Sequence, residues 1–91
     1  NEVPGEFSLS QNYPNPFNPS TTINFSVPAA DVVRICVYDV LGKEVSVIAE
    51  GHFMPGIYSA DWNANLFSSG TYFCVMRCGS HMLYRKMILM K

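Results

Sequence analysis

Few side chains in this 91-residue chain could carry out chemistry: two histidines, three cysteines and seven carboxylates. His52 and His81 fall in expected turns or strand ends, and no Ser/His/Asp or Cys/His set can be assembled around either with defensible spacing. Cys78-x-x-His81 is half of a zinc pattern with no second half. Asp61-x-Asn63-x-Asn65 matches the start of a calcium loop. Leu66, however, stands where that loop needs glycine, and no acid follows at the twelfth position. A turn built from Asp/Asn hydrogen bonds to nearby backbone accounts for these residues better. The remaining acids are scattered singly, without the carboxylate pair of general acid–base catalysis. No cofactor or metal is called for, and no enzymatic activity is expected. Cys74 and Cys78 lie about 13 Å apart along one expected strand, beyond the roughly 7 Å between Cα atoms that a disulfide spans. Cys36 reaches one of them only if the two strands are neighbours. Pairing of Cys36 with Cys74 or Cys78 stays open, with buried free thiols as the preferred reading.

Two stretches suggest recognition instead. The run Asn12-Tyr13-Pro14-Asn15-Pro16-Phe17-Asn18-Pro19 places three prolines close together. They hold φ near −65° and bias Tyr13, Asn15 and Asn18 away from the α region. The Asn side chains can hydrogen-bond neighbouring backbone in place of ladder bonds. The run reads either as an ordered crossover pinned by Tyr13 and Phe17 or as a loop offered to a partner. The second stretch, Lys86-Met87-Ile88-Leu89-Met90-Lys91, is an apolar strand bracketed by cations. It reads as an edge strand protected by lysines, as a recognition element, or as both.

The elements that must position these stretches are all strands. Apolar residues make up 48% of the chain and charged residues 14%, which favours a packed core over disorder. Ninety-one residues suffice for one small domain, with stability of roughly 5–8 kcal/mol. A net charge of −1 leaves no basic surplus for nucleic acid. No apolar run reaches the ~18–20 residues of a membrane-spanning helix, so no membrane insertion is expected. Any export signal is expected upstream of this stretch.

Period-2 alternation recurs along the chain, and no 3.6-residue pattern is sustained. It predicts strands over Phe7–Ser10, Thr21–Val27, Val32–Val40, Glu44–Ala49, Gly56–Asn63, Thr71–Cys78 and Leu83–Lys91, after a linker over Asn1–Glu6. Gly42 and Gly79 mark hairpin turns. The pattern predicts an all-β, seven-stranded antiparallel immunoglobulin-like β-sandwich over residues 7–91. Ile23, Phe25, Val33, Ile35, Val37, Tyr58, Trp62, Tyr72, Met76 and Leu89 are its expected core. Trp62 thus reads as core and not as a sugar-stacking platform.

Four blocks carry a family resemblance: LSQNYPNPFNPSTTINFSVP, VYDVLGKEV, SSGTYF and RKMILMK. In this order and spacing they resemble the C-terminal sorting domains of cargo proteins of the type IX secretion system, from Phe7 to Lys91. The resemblance implies a small sandwich without catalysis, borne by a secreted enzyme or adhesin. That domain directs its cargo through the outer-membrane translocon and is commonly cleaved. The implied localisation is secreted or cell-surface, through the periplasm and outer membrane. It also implies that Lys86, Leu89 and Lys91 form the terminal signature, with the residue 12–19 run as the other recognition candidate. The family's usual Trp-Asp-Gly block stands here as Trp62-Asn63-Ala64, so that turn is expected to be built differently. A carbohydrate-binding module and a purely structural spacer are the alternatives.

Overall fold

A computed structural model describes residues 5–91; the expected linker lies outside the described residues through residue 4. Seven strands follow one another: β1 (Ser8–Leu9), β2 (Ser20–Val27), β3 (Asp31–Tyr38), β4 (Glu44–Phe53), β5 (Gly56–Asn63), β6 (Gly70–Cys78) and β7 (His81–Leu89). The described residues contain no helix. Antiparallel pairing gives a three-stranded sheet, β1-β2-β5, facing a four-stranded sheet, β4-β3-β6-β7. This is the predicted sandwich. The 3+4 order has the immunoglobulin-like pattern, with consecutive hairpins in one sheet and a crossover between the two.

Alternation dictates which residues face inward. Ile23, Phe25 and Val27 on β2 meet Val33, Ile35 and Val37 on β3, with Tyr72, Cys74 and Met76 on β6 and Met87 and Leu89 on β7 completing the core. Nine of the ten expected core residues are buried; Tyr58 is half-buried. It lies on β5, the edge strand of the three-stranded sheet, stacked on Phe25 at 5.4 Å, with its hydroxyl donating to the Met54 carbonyl. Keeping the hydroxyl hydrogen-bonded at the surface holds the ring at the core's margin.

β4 runs four residues beyond the predicted Ala49 because two irregularities let it follow β3. The register skips Ile48 and Val45, and both half-buried side chains pack against the core. Bulges of this kind twist an edge strand and weaken it as a template for further pairing. At the start of β6, the Tyr72 hydroxyl donates to the Ser68 carbonyl at 2.6 Å. This tyrosine corner pins the β5–β6 connection to the sandwich. Gly79 (φ 58°) leads the two-residue turn closing β6–β7, a conformation that disfavours any Cβ-bearing residue.

The cysteines are free and buried. β3 and β6 are indeed neighbours, with Val37 opposite Cys74 and Cys36 opposite Val75. Cys74 therefore points into the core with Val37, while Cys36 lies on the outer face, so the two sulfurs point to opposite sides of the sheet. Burial pushes the Cys74 thiol up to about 12 and Cys78 to about 11. Burial also raises Cys36, against the pull of the Arg34 guanidinium 2.8 Å from its sulfur. Arg34 is held in turn by Glu44 at 2.9 Å and Glu50 at 3.0 Å on β4. Its hydrogen bonds keep the Glu44 carboxyl below its ordinary value.

Candidate functional site

The two stretches singled out in the sequence, 73 residues apart at the hydrogen bond between Asn15 and Ile88, lie against one another. β7 is the last strand of its sheet, and its outer edge would otherwise be bare. The residue 12–19 run lies along the second half of that edge and supplies the missing partners. Phe17 N–H donates to the Ile88 carbonyl, and Met90 N–H donates to the Phe17 carbonyl, both at 2.9 Å. The Asn15 Oδ1 accepts the Ile88 N–H at 3.0 Å, and Gln11 Nε2 donates to the Lys86 carbonyl at 2.7 Å. Backbone and amide side chains together thus substitute for an eighth strand. Proline explains the mixture: it removes donors from the run, and asparagine side chains replace them. The Tyr13–Pro14, Asn15–Pro16 and Asn18–Pro19 peptides are all cis.

Three of the candidate side chains hold this arrangement from inside. Phe17 is 2% exposed, its ring 5.7 Å from Trp62. Leu89, bridged to Phe17, is 1% exposed and faces the core. Asn12 is also buried; its amide donates to Thr21 Oγ1 at 3.0 Å and to the Pro14 carbonyl at 3.1 Å, and Thr21 donates to the same carbonyl at 2.9 Å. A buried amide with its partners in place fixes one loop conformation. Pro19 is half-buried, and its carbonyl accepts the Ala64 N–H at 2.8 Å, tying the run to the β5–β6 connection.

Tyr13, Pro14, Asn15, Pro16 and Asn18 face solvent, Tyr13 with 81% of its surface free. Tyr13 is anchored only through its backbone, which exchanges two 2.9 Å bonds with Thr22. Lys86 and Lys91 are exposed at the two ends of the covered stretch, about 17 Å apart along the chain. Lys86 has no carboxylate partner among the described residues, where both ion pairs belong to Arg34. Lys91 is tethered: its N–H donates to Ser69 Oγ at 3.0 Å and its ammonium to the Asn65 carbonyl. The surface is an uncharged, proline-stiffened ridge with a cation at each end. It offers hydrogen bonds and charge, and no nucleophile or acid–base pair.

The same ordered blocks decide the family. The model of the secretion system C-terminal sorting domain matches residues 11–90. The chain belongs to this family. It is a type IX secretion sorting domain, in a family that is not catalytic, and marks a secreted or cell-surface protein that engages the type IX machinery. None of the curated proteins matches the chain significantly.

In this sorting domain, the altered Trp62-Asn63-Ala64 block still makes a turn. Asn63 Oδ1 accepts the Asn65 N–H at 2.9 Å, and Phe67 N–H donates to the Ala64 carbonyl. Asp61 Oδ1 accepts from Thr22 Oγ1 at 2.7 Å, so both the Asp61 and Asn63 oxygens are engaged within the domain's own hydrogen bonds. Trp62 is 4% exposed, packed among Phe17, Phe67 and Tyr72, so its face is closed to a sugar. Sequence reasoning missed Gln11 and Thr21, the two polar side chains that lock the loop. The alternation of Thr21 with Ile23 signalled its burial, but nothing local signalled its bond to Pro14.

Proposed function

We propose that the ridge over β7, with Lys86 and Lys91 at its ends, is the surface read by the outer-membrane translocon. It would be read as an upstream catalytic or adhesive domain of the same chain passes from the periplasm to the cell surface. In this reading the domain begins at Phe7, residues 1–6 link it to that cargo, and the domain itself does no chemistry. The observation that carries the proposal is the docking of the residue 12–19 run on Lys86–Met90, because it unites both recognition candidates on one face. Tyr13, Pro14, Asn15, Pro16, Asn18, Lys86 and Lys91 would meet the partner. Asn12, Phe17, Pro19 and Leu89 would keep them in place.

The test fuses the domain to a reporter with a periplasmic export signal, in a bacterium that has type IX secretion. Wild-type fusion should bring the reporter to the surface or medium. Lys86→Gln with Lys91→Gln keeps side-chain length and removes two exposed charges, at a cost of no more than about 0.5 kcal/mol each. The reporter should then stay in the periplasm while the isolated domain melts normally. Wild-type export by this double variant would mean that the lysines only protect an edge.

A further inference from the structure

The hydrogen-bonded cover over β7 stops halfway along the strand, and β1 lies beside the remainder without bonding it. Cys78 and His81 flank the two-residue turn as a hydrogen-bonded pair, so His81, Leu83, Arg85, Met87 and Leu89 direct their backbone groups toward β6. Met82, Tyr84, Lys86, Ile88 and Met90 direct theirs outward, as the bonds to the Lys86 and Ile88 carbonyls and the Ile88 and Met90 N–H groups require. The loop reaches no further than Lys86. Among the described residues, nothing bonds the outward N–H of Met82, Tyr84 or Lys86. The Tyr84 carbonyl is met only by the guanidinium of its neighbour Arg85, at 2.9 Å.

Cations outnumber acids around this open half, where Glu6 is a neighbouring carboxylate. Arg77, Arg85 and Lys86 are all exposed, and none is paired with a carboxylate among the described residues. Arg77 lies opposite Met82 on the outer face. Between these cations Met82 and Tyr84 expose 55% and 60% of their surface. The sheet's other edge carries Glu44 and Glu50, both engaged by Arg34, so positive charge is concentrated at the β7 side. A groove bounded by Gly5, Glu6, Phe7, Pro28, His81, Met82 and Leu83 continues from the edge toward the turn, with Glu6 the one acid in its lining. Its apolar walls are Phe7, Pro28, Met82 and Leu83.

We infer that the open half of the β7 edge, from Met82 to Lys86, is a strand-addition site for an extended acidic segment of a partner protein. The incoming backbone bonds the outward groups of Met82, Tyr84 and Lys86, continuing the line of partners that the residue 12–19 run begins. Its carboxylates meet Arg77 and Lys86 on the outer face, and the Arg85 guanidinium, which belongs to the other face, leaves the Tyr84 carbonyl to the incoming backbone. An apolar side chain at its other end enters the groove beside Phe7. The inference does not depend on the sorting reading.

The experiment titrates the 91-residue chain with a blocked heptapeptide alternating glutamate and valine, and with one alternating lysine and valine, while amide exchange is followed by NMR. The glutamate peptide should slow exchange at Tyr84 and Lys86 by at least about tenfold at saturation. That protection should weaken in ~1 M salt, where charges are screened within about 3 Å. The lysine peptide should leave both amides unchanged. Tyr84→Pro removes an N–H that β6 does not use, and should abolish binding while Trp62 fluorescence stays native. Should that variant misfold, Arg77→Gln provides the second reading: about fivefold weaker binding of the glutamate peptide. Tyr84 and Lys86 amides already protected without peptide would overturn the inference. So would equal effects of the two peptides, no effect of either, or unaltered binding by the arginine variant.

Discussion

Replacing Phe17 by alanine removes a ring that is 2% exposed, packed 5.7 Å from Trp62 and bridged to Leu89 through its backbone. Burial this complete makes the lost transfer energy and the cavity add, for a cost of about 3–5 kcal/mol. Against a total stability of roughly 5–8 kcal/mol, that is half or more of what holds the domain together. In a chain of this size each kcal/mol shifts the melting temperature by about 4–8 °C, so a fall of at least about 12 °C is expected. Trp62, the single tryptophan, is itself in contact with the deleted ring and reports the transition by fluorescence in thermal and urea melts. The exposed neighbour provides the control: Asn18→Ala should stay within about 0.5 kcal/mol of wild type. A Phe17→Ala protein that melts with wild type would refute the docking of the loop, and with it the joining of the two candidate stretches.

Asn12→Ala should cost about 1–3 kcal/mol in the same melts, because it deletes the donor to Thr21 Oγ1 and Pro14 inside a buried network. Combined with Thr21→Val, it should show a non-additive change in a double-mutant cycle. Cys74 supplies a pH dependence. Its thiol is pushed up to about 12 by burial, above its ordinary value of 9.0. The stability due to the buried neutral thiol is therefore fully present below about pH 9 and declines as pH rises toward 12. Cys74→Ala should melt lower at pH 7 yet lose less of its melting temperature than wild type between about pH 8 and pH 11.

The strands were legible because each carries its own period-2 signal and a local stop. Gly56–Asn63 matches to the residue, and the Gly79-Ser80 turn falls where a two-residue hairpin needs its leading glycine. β4 ran past its expected end because bulges at Val45 and Ile48 break the alternation on which the prediction relied. The candidate site was legible only in pieces. Lys86 and Lys91 stand out as cations bracketing an apolar run, and the proline spacing marks residues 12–19 as ordered. What joins them is a set of hydrogen bonds across 73 and 75 residues, from Asn15 and Gln11 side chains, for which no periodicity exists. The burial of Asn12 is likewise invisible locally, since an asparagine in a proline-rich run reads as a solvated turn residue until Thr21 is placed beside it.

The central claim is that loop and strand are read together, and Tyr13 tests it most directly. Its side chain is 81% exposed and its structural role is confined to two backbone bonds with Thr22, so Tyr13→Ala should leave stability within about 0.5 kcal/mol of wild type. The measurement is surface delivery of the fused reporter by Tyr13→Ala beside that by the Lys86→Gln, Lys91→Gln variant. A composite surface predicts that both fall well below wild type while both domains melt normally. Delivery by Tyr13→Ala at the wild-type level, with the lysine variant trapped in the periplasm, would contradict it and leave the loop as nothing more than a cover for the β7 edge.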